Sequence, residues 1–221
     1  MNNKRWILLL VGIGCLLMSL VDMTKMHYVP KAMIKISAFV SIPFLYTKIS
    51  KDNHLWETLR FHFSSVRLAV WLGLILYGLI LITYFLIGPW FDFSNVARVL
   101  DATVGVNPGN FIYIAVYISL INSFIEELFF RGFAFLALKK YTSRRFAIYF
   151  SSIAFALYHV TLMAGLFEFS LYLLFLFALV IAGYILNRLN EKSSTLFPSW
   201  VFHAFANFAI NTIGFILLGM I

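Results

Sequence analysis

Charge is scarce in these 221 residues: Asp, Glu, Lys and Arg together supply only 12%, against about 25% in a soluble globular domain. With 62% hydrophobic residues and a mean hydropathy of +0.91, that shortage excludes a chain built to fold in water. Cysteine is nearly absent. The single Cys15 rules out an internal disulfide framework and a cysteine-based metal site, and its place in an apolar run predicts an inert packing thiol. No Gly-x-Ser-x-Gly elbow occurs, which weakens a serine nucleophile. The His-Glu-x-x-His pattern of many zinc proteases is missing as well. Internal repeats, low-complexity tracts and soluble domains are also absent. Acidic residues number 9 against 17 basic ones, a net charge of +8. The basic residues fall between apolar runs without a basic-aromatic motif, so they are expected to meet lipid headgroups rather than nucleic acid.

What the chain has in abundance is apolar runs of bilayer-spanning length, about 17–25 residues each. The first is Trp6–Val21, which no small-residue cleavage site follows, so it reads as a retained helix. The second runs from Ala32 to Thr47, and Pro43 predicts a kink or an early end. Further runs cover Arg67–Ile87, Phe111–Phe130, Phe146–Leu166, Phe169–Leu186 and Ser199–Met220. The segment 51–65, with Leu55, Trp56, Leu59, Phe61 and Phe63 among polar residues, suits an amphipathic helix in the interface. The pattern predicts an all-α polytopic membrane protein of about seven to eight transmembrane helices with an intramembrane polar cavity. Residues 1–110 supply N-terminal helices and the interfacial segment, and 111–221 the remaining core, in one membrane domain.

Basic residues set the expected orientation. Lys48, Lys51, Arg60, Arg67, Lys139, Lys140, Arg144, Arg145, Arg188 and Lys192 lie in alternate connections, while Lys25, Lys31, Lys35 and Arg98 fall in the others. The bias puts the N-terminus inside and, for seven spans, the C-terminus outside. An eighth short segment would move only the C-terminus.

The functional signal is the polar residues inside the spans. An ionisable side chain at the bilayer centre costs about 2.5–3.5 kcal/mol on insertion scales, so such groups usually face a cavity and serve a function. Ser119, Asn122, Ser123, Glu126 and Glu127 fall on one side of the fourth run. Glu127 and Arg131, at i and i+4, can pair along the helix, leaving Glu126 to point elsewhere. The bland alternative places both carboxylates at headgroup level, neutralising Arg131 and Lys139. The fifth run carries His159, and the seventh carries His203 and Asn207 on one face. A buried Glu beside a His can share or relay a proton. A second His with an Asn offers donors for an oxyanion. These are the parts for hydrolysing an amide with an activated water.

Glu-Glu-x-x-x-Arg, Phe-x-x-x-His and His-x-x-x-Asn, in that order on three apolar segments, resemble the CPBP family. That family holds type II CaaX prenyl endopeptidases and the bacteriocin-processing or immunity-associated Abi proteins. The likeness covers about 119–210, with 33 residues from Glu126 to His159 and 44 from His159 to His203. It implies a metal-independent, glutamate-dependent intramembrane endopeptidase without a cofactor. Glu126 would activate water with His159, and His203 with Asn207 would support the oxyanion. Glu127 and Arg131 would order the site or meet the substrate's carboxyl end. The expected partners are a peptide or protein substrate and the lipid bilayer of the cell membrane.

On the expected topology Glu126, Glu127, His203 and Asn207 lie toward the cytoplasmic side, around a wet cavity opening to the cytoplasm. His159 falls deeper, so tilt or a later helix start must bring it up to the carboxylates. Three alternatives stay open: an immunity or scaffold protein acting without turnover, a metal-dependent hydrolase holding zinc on the Glu and His residues, and a transporter with a carboxylate proton relay.

Overall fold

Each apolar run becomes a helix, because in lipid the backbone must satisfy its own polar groups and a helix does so within one segment. The computed structural model describes residues 2–24, 26–51, 54–163 and 167–221. Lys25 and residues 164–166, placed by the sequence in a connection and at the end of the fifth run, lie outside the described residues. Helix α1 spans Asn3–Asp22, α2 Tyr28–Ser50, α3 His54–Thr58, α4 Phe63–Ile87 and α5 Val96–Val104. A longer helix, α6, covers Phe111–Ala137. It is followed by α7 at Arg144–Met163, α8 at Phe169–Ser193 and α9 at Phe197–Leu217. Seven of these are long and apolar enough to cross a membrane, and no strand occurs among the described residues. The chain is an all-α, multi-pass membrane protein.

The structure corrects three of the expected bounds. Pro43 sits inside α2 and does not end it; the helix continues to Ser50. Its ring removes one backbone bond, a defect membrane helices tolerate when neighbours satisfy the freed groups. The fourth span runs past Phe130 to Ala137, because Arg131 is fully buried and so does not mark the headgroup level. The expected interfacial helix is reduced among its described residues to α3, with Leu55 buried against Leu128 and Leu196 and Trp56 exposed.

Packing separates lipid-facing helices from the core. On α4 only Val66, Ala69 and Gly73 are buried, and side chains such as Trp71 and Ile75 are left for lipid. Small residues let the helices approach closely. Gly73 of α4 accommodates the ring of Phe205 on α9, and a Cβ on Gly183 of α8 would lie 2.9 Å from Ser152 Cα of α7. Helix α6 is the centre: Phe129, Phe130, Phe133 and Phe135 are buried, and Phe39 of α2 stacks on Phe129 at 4.0 Å.

Two stretches of α6 are wound as π-helix, Tyr117–Asn122 and Leu128–Ala137, and they flank the α-helical turn Ser123–Glu127 that bears both carboxylates. Such wider turns misalign the usual carbonyl partners and are frequent at functional sites. Here side chains of α9 reach in. Trp200 Nε1 donates to Leu120 O at 2.9 Å, Asn207 Nδ2 to Ile118 O at 3.1 Å and Asn211 Nδ2 to Ala115 O at 3.1 Å. From α7, Ser151 Oγ donates to Phe130 O at 2.7 Å. The unusual winding is thereby tied to its neighbours at both ends of the carboxylate turn.

Candidate active site

Because α6 reaches Ala137, Glu126 and Glu127 lie near the middle of the span and not near its cytoplasmic end. Four charged or titratable groups are withdrawn from solvent: Glu127 and Arg131 are 0% exposed, Glu126 2% and His203 9%. The charged groups of the polar interior are thus withdrawn from solvent.

Glu127 and Arg131 form an ion pair, Oε1 to Nη1 at 3.3 Å. The guanidinium also lies over the Phe155 ring at 4.1 Å from its centroid, a cation–π contact that gains strength when desolvated. Arg131 Nε, Nη1 and Nη2 and Glu127 Oε2 find no hydrogen-bond partner among the described residues. The pair is therefore held by charge and by the aromatic face rather than by a complete hydrogen-bond set.

His203 bridges the two glutamates. Its Nδ1 lies 2.9 Å from Glu127 Oε1, and its Nε2 faces Glu126 Oε2 at 3.8 Å. An ionised carboxylate only accepts, so Nδ1 carries the proton in that bond. His159 Nδ1 lies 2.7 Å from the Phe155 carbonyl, which is also only an acceptor. Its proton is fixed on Nδ1 too, leaving Nε2 with the lone pair when the ring is neutral. The Phe155 ring contacts both imidazoles, which places His159 beside His203. The ring of His203 stands edge-on to Phe155 at 5.8 Å, and that of His159 packs on Phe155 and Tyr158 at 4.7 Å each.

Asn207, one turn beyond His203 on α9, bonds to the backbone of α6. Its Nδ2 donates to Ile118 O, so at least one of its two N–H groups serves the π-helical backbone. Glu126 is not free, as the spacing predicted. Lys35 of α2 forms an ion pair with its Oε1, and Asn122 Nδ2 donates to the same oxygen at 3.0 Å. Lys35 also donates to Asn122 Oδ1 at 2.5 Å and is itself buried. Counting Lys31 and Lys35 as connection residues is thereby corrected: both are buried on α2, with Lys31 Nζ donating to Asp22 O at 3.0 Å. A signal for Lys35 was present, since it falls within the apolar run 32–47, where a charge carries the same insertion cost that singled out Glu126.

Among the described residues, no group of three His, Cys, Asp or Glu side chains is arranged to hold a metal ion. Cys15, with Sγ 4.0 Å from Ala154 O on α7, is distant in role from this chemistry.

Residues 108–209 match the family model described as type II CAAX prenyl endopeptidase Rce1-like. Over this segment, a little under half of its length, the chain is similar to the Rce1-like family. The matched stretch contains Glu126, Glu127, Arg131, His159, His203 and Asn207, and ends eight residues before the end of α9 at Leu217. That family is described as one of CAAX-type prenyl endopeptidases, a likeness that supports a hydrolase at the membrane. No curated protein and no solved structure matches the chain. Lys35 and the rest of α1 to α5 lie outside the matched segment.

Proposed function

We propose that the chain is a multi-pass protease of the cell membrane that hydrolyses a peptide bond with a water activated by Glu126 and His159, without a metal. The observation that carries this reading is the arrangement around Glu126. Its Oε1 is occupied by Lys35 and Asn122, while Oε2 faces His203 Nε2 across 3.8 Å, too far for a hydrogen bond. Oε2 is therefore the oxygen with capacity to accept a proton. Water held between it and His159 Nε2 attacks the peptide carbonyl carbon, and Glu126 Oε2 takes the water's proton as the new C–O bond forms. The negative charge passes to the carbonyl oxygen. His203 Nε2, when protonated, and the second N–H of Asn207 are the donors for that oxyanion. Collapse breaks the C–N bond, and Glu126 returns the proton to the leaving amine. Glu127 anchors His203 through Nδ1, and Arg131 balances the second carboxylate.

The family description supports a prenylated peptide as the substrate class. The basic residues Lys139, Lys140, Arg144, Arg145, Arg188 and Lys192 mark the cytoplasmic side, to which the site opens on substrate entry. The test is an internally quenched peptide carrying a prenylated Cys and three further residues, incubated with membranes bearing the wild-type chain or Glu126→Ala. We expect release of the C-terminal fragment by the wild type alone, unaffected by a metal chelator. Loss of cleavage on chelation would instead support the zinc reading. A wild type without cleavage, whose biological effect equals that of Glu126→Ala, would support a scaffold or immunity role.

A further inference from the structure

The matched segment does not contain every charged group of the cluster. Lys35 enters from α2, more than seventy residues before that segment begins. Within three turns α2 carries two buried lysines, and their partners differ. Lys31 is satisfied by the carbonyl of Asp22 at the end of α1, an ordinary way to cover a helix C-terminus. Lys35 instead spends its donors on Glu126 Oε1 and Asn122 Oδ1, and its ammonium lies 4.9 Å from the centre of the Tyr158 ring. Burying an ammonium costs several kcal/mol, and a helix needing only an apolar contact there would not carry one.

We infer that Lys35 is a positioning residue for the proposed hydrolysis: by occupying Glu126 Oε1 together with Asn122, it presents Oε2 alone to the water and substrate. This rests on the reading of Glu126 as the base. A carboxylate has two nearly equivalent oxygens and rotates about its last bond. With Lys35 and Asn122 both on Oε1, rotation would break two charge-assisted contacts at once. Lys35 touches neither the reacting water nor the peptide in this scheme, so it acts through Glu126. The N-terminal helices thereby complete a site whose other members all lie in the matched segment.

The test measures kcat and KM on the quenched prenylated peptide for Lys35→Met, Lys35→Gln and Lys35→Arg, with Lys31→Met as a neighbouring control. Misplacement of a reacting group by about 1 Å can cost about 10²-fold, so Lys35→Met is expected to lose about that much in kcat with KM kept within about twofold. Lys35→Gln, which keeps a donor without the charge, should fall between Met and wild type. Lys35→Arg should recover most of the rate, and Lys31→Met should leave kcat near the wild-type value. If Lys35→Met does not fold, Lys35→Gln and Lys35→Arg carry the same comparison. Wild-type kcat in either Lys35→Met or Lys35→Gln overturns the inference. A loss that Lys35→Arg fails to restore also overturns it, because shape and not charge would then be required. Glu126→Gln run in parallel separates the two levels: if it keeps turnover, the hydrolytic reading itself fails, whereas a dead Glu126→Gln beside active Lys35 variants removes only the role of Lys35.

Discussion

Around Glu191, near the end of α8, Lys139, Arg144 and Arg188 gather at 2.7–3.2 Å, with their side chains 35–48% exposed. Around Glu126 and Glu127, Lys35, Arg131 and His203 gather at comparable range, and every member is buried. The residue types are nearly the same; the surroundings differ. Water and salt screen the first cluster, so its pairs are individually weak and each can be lost at little cost. In the second, each charge depends on its partners, because an uncompensated ion in the interior carries the full desolvation penalty. A membrane protein can keep a cluster of the first kind merely for solubility at the headgroups. A cluster of the second kind costs stability and persists where it serves the chemistry.

That contrast predicts graded effects. The largest loss of stability is expected for Arg131→Ala, which leaves Glu127 buried without its cation; breaking one side of a buried pair costs about 3–5 kcal/mol. Thermal unfolding in detergent checks this. Combining it with Glu127→Ala should restore part of the loss, since the two share one interaction. Next is Asn211→Leu, which removes the donor to Ala115 O and Ser119 Oγ at the first π-helical stretch. Leaving such an acceptor buried and unmet costs about 1–3 kcal/mol, and hydrogen exchange should rise over Tyr117–Asn122 before the rest of α6. The smallest effect belongs to Glu191→Ala, about 1 kcal/mol at most and shrinking as salt is raised. A salt-insensitive loss of several kcal/mol there would erase the distinction between the clusters.

Much of this was legible in the sequence, for identifiable reasons. Apolar length alone predicts seven spans, because the bilayer imposes one dimension on every helix. Glu126, Glu127, Arg131 and His203 stood out as ionisable groups in apolar runs, and the structure gathers them. The i, i+4 pairing of Glu127 with Arg131 follows from helical geometry, though not its dependence on the Phe155 ring. Lys35 escaped because charge counting near a span end treats lysine as a connection residue, and only the packing of α2 against α6 reveals its partner. The tie between Asn207 and Ile118 was hidden too: it depends on π-helical winding, which the apolar pattern of residues 117–122 does not announce. The end of the fourth span was misjudged because Arg131 reads as a boundary when its buried partners are unknown.

The central claim is that the buried cluster, and not the exposed one, performs the chemistry. Turnover of the quenched prenylated peptide by Glu126→Gln and Glu191→Gln, measured side by side in proteins confirmed to be inserted and folded, tests it most directly. Gln preserves the size of each side chain and removes its capacity as a base, and a general base contributes about 10²–10⁴-fold. The account predicts a loss in that range for Glu126→Gln and nearly wild-type turnover for Glu191→Gln. Turnover by Glu126→Gln within about tenfold of wild type, or an equal loss in both variants, would contradict it.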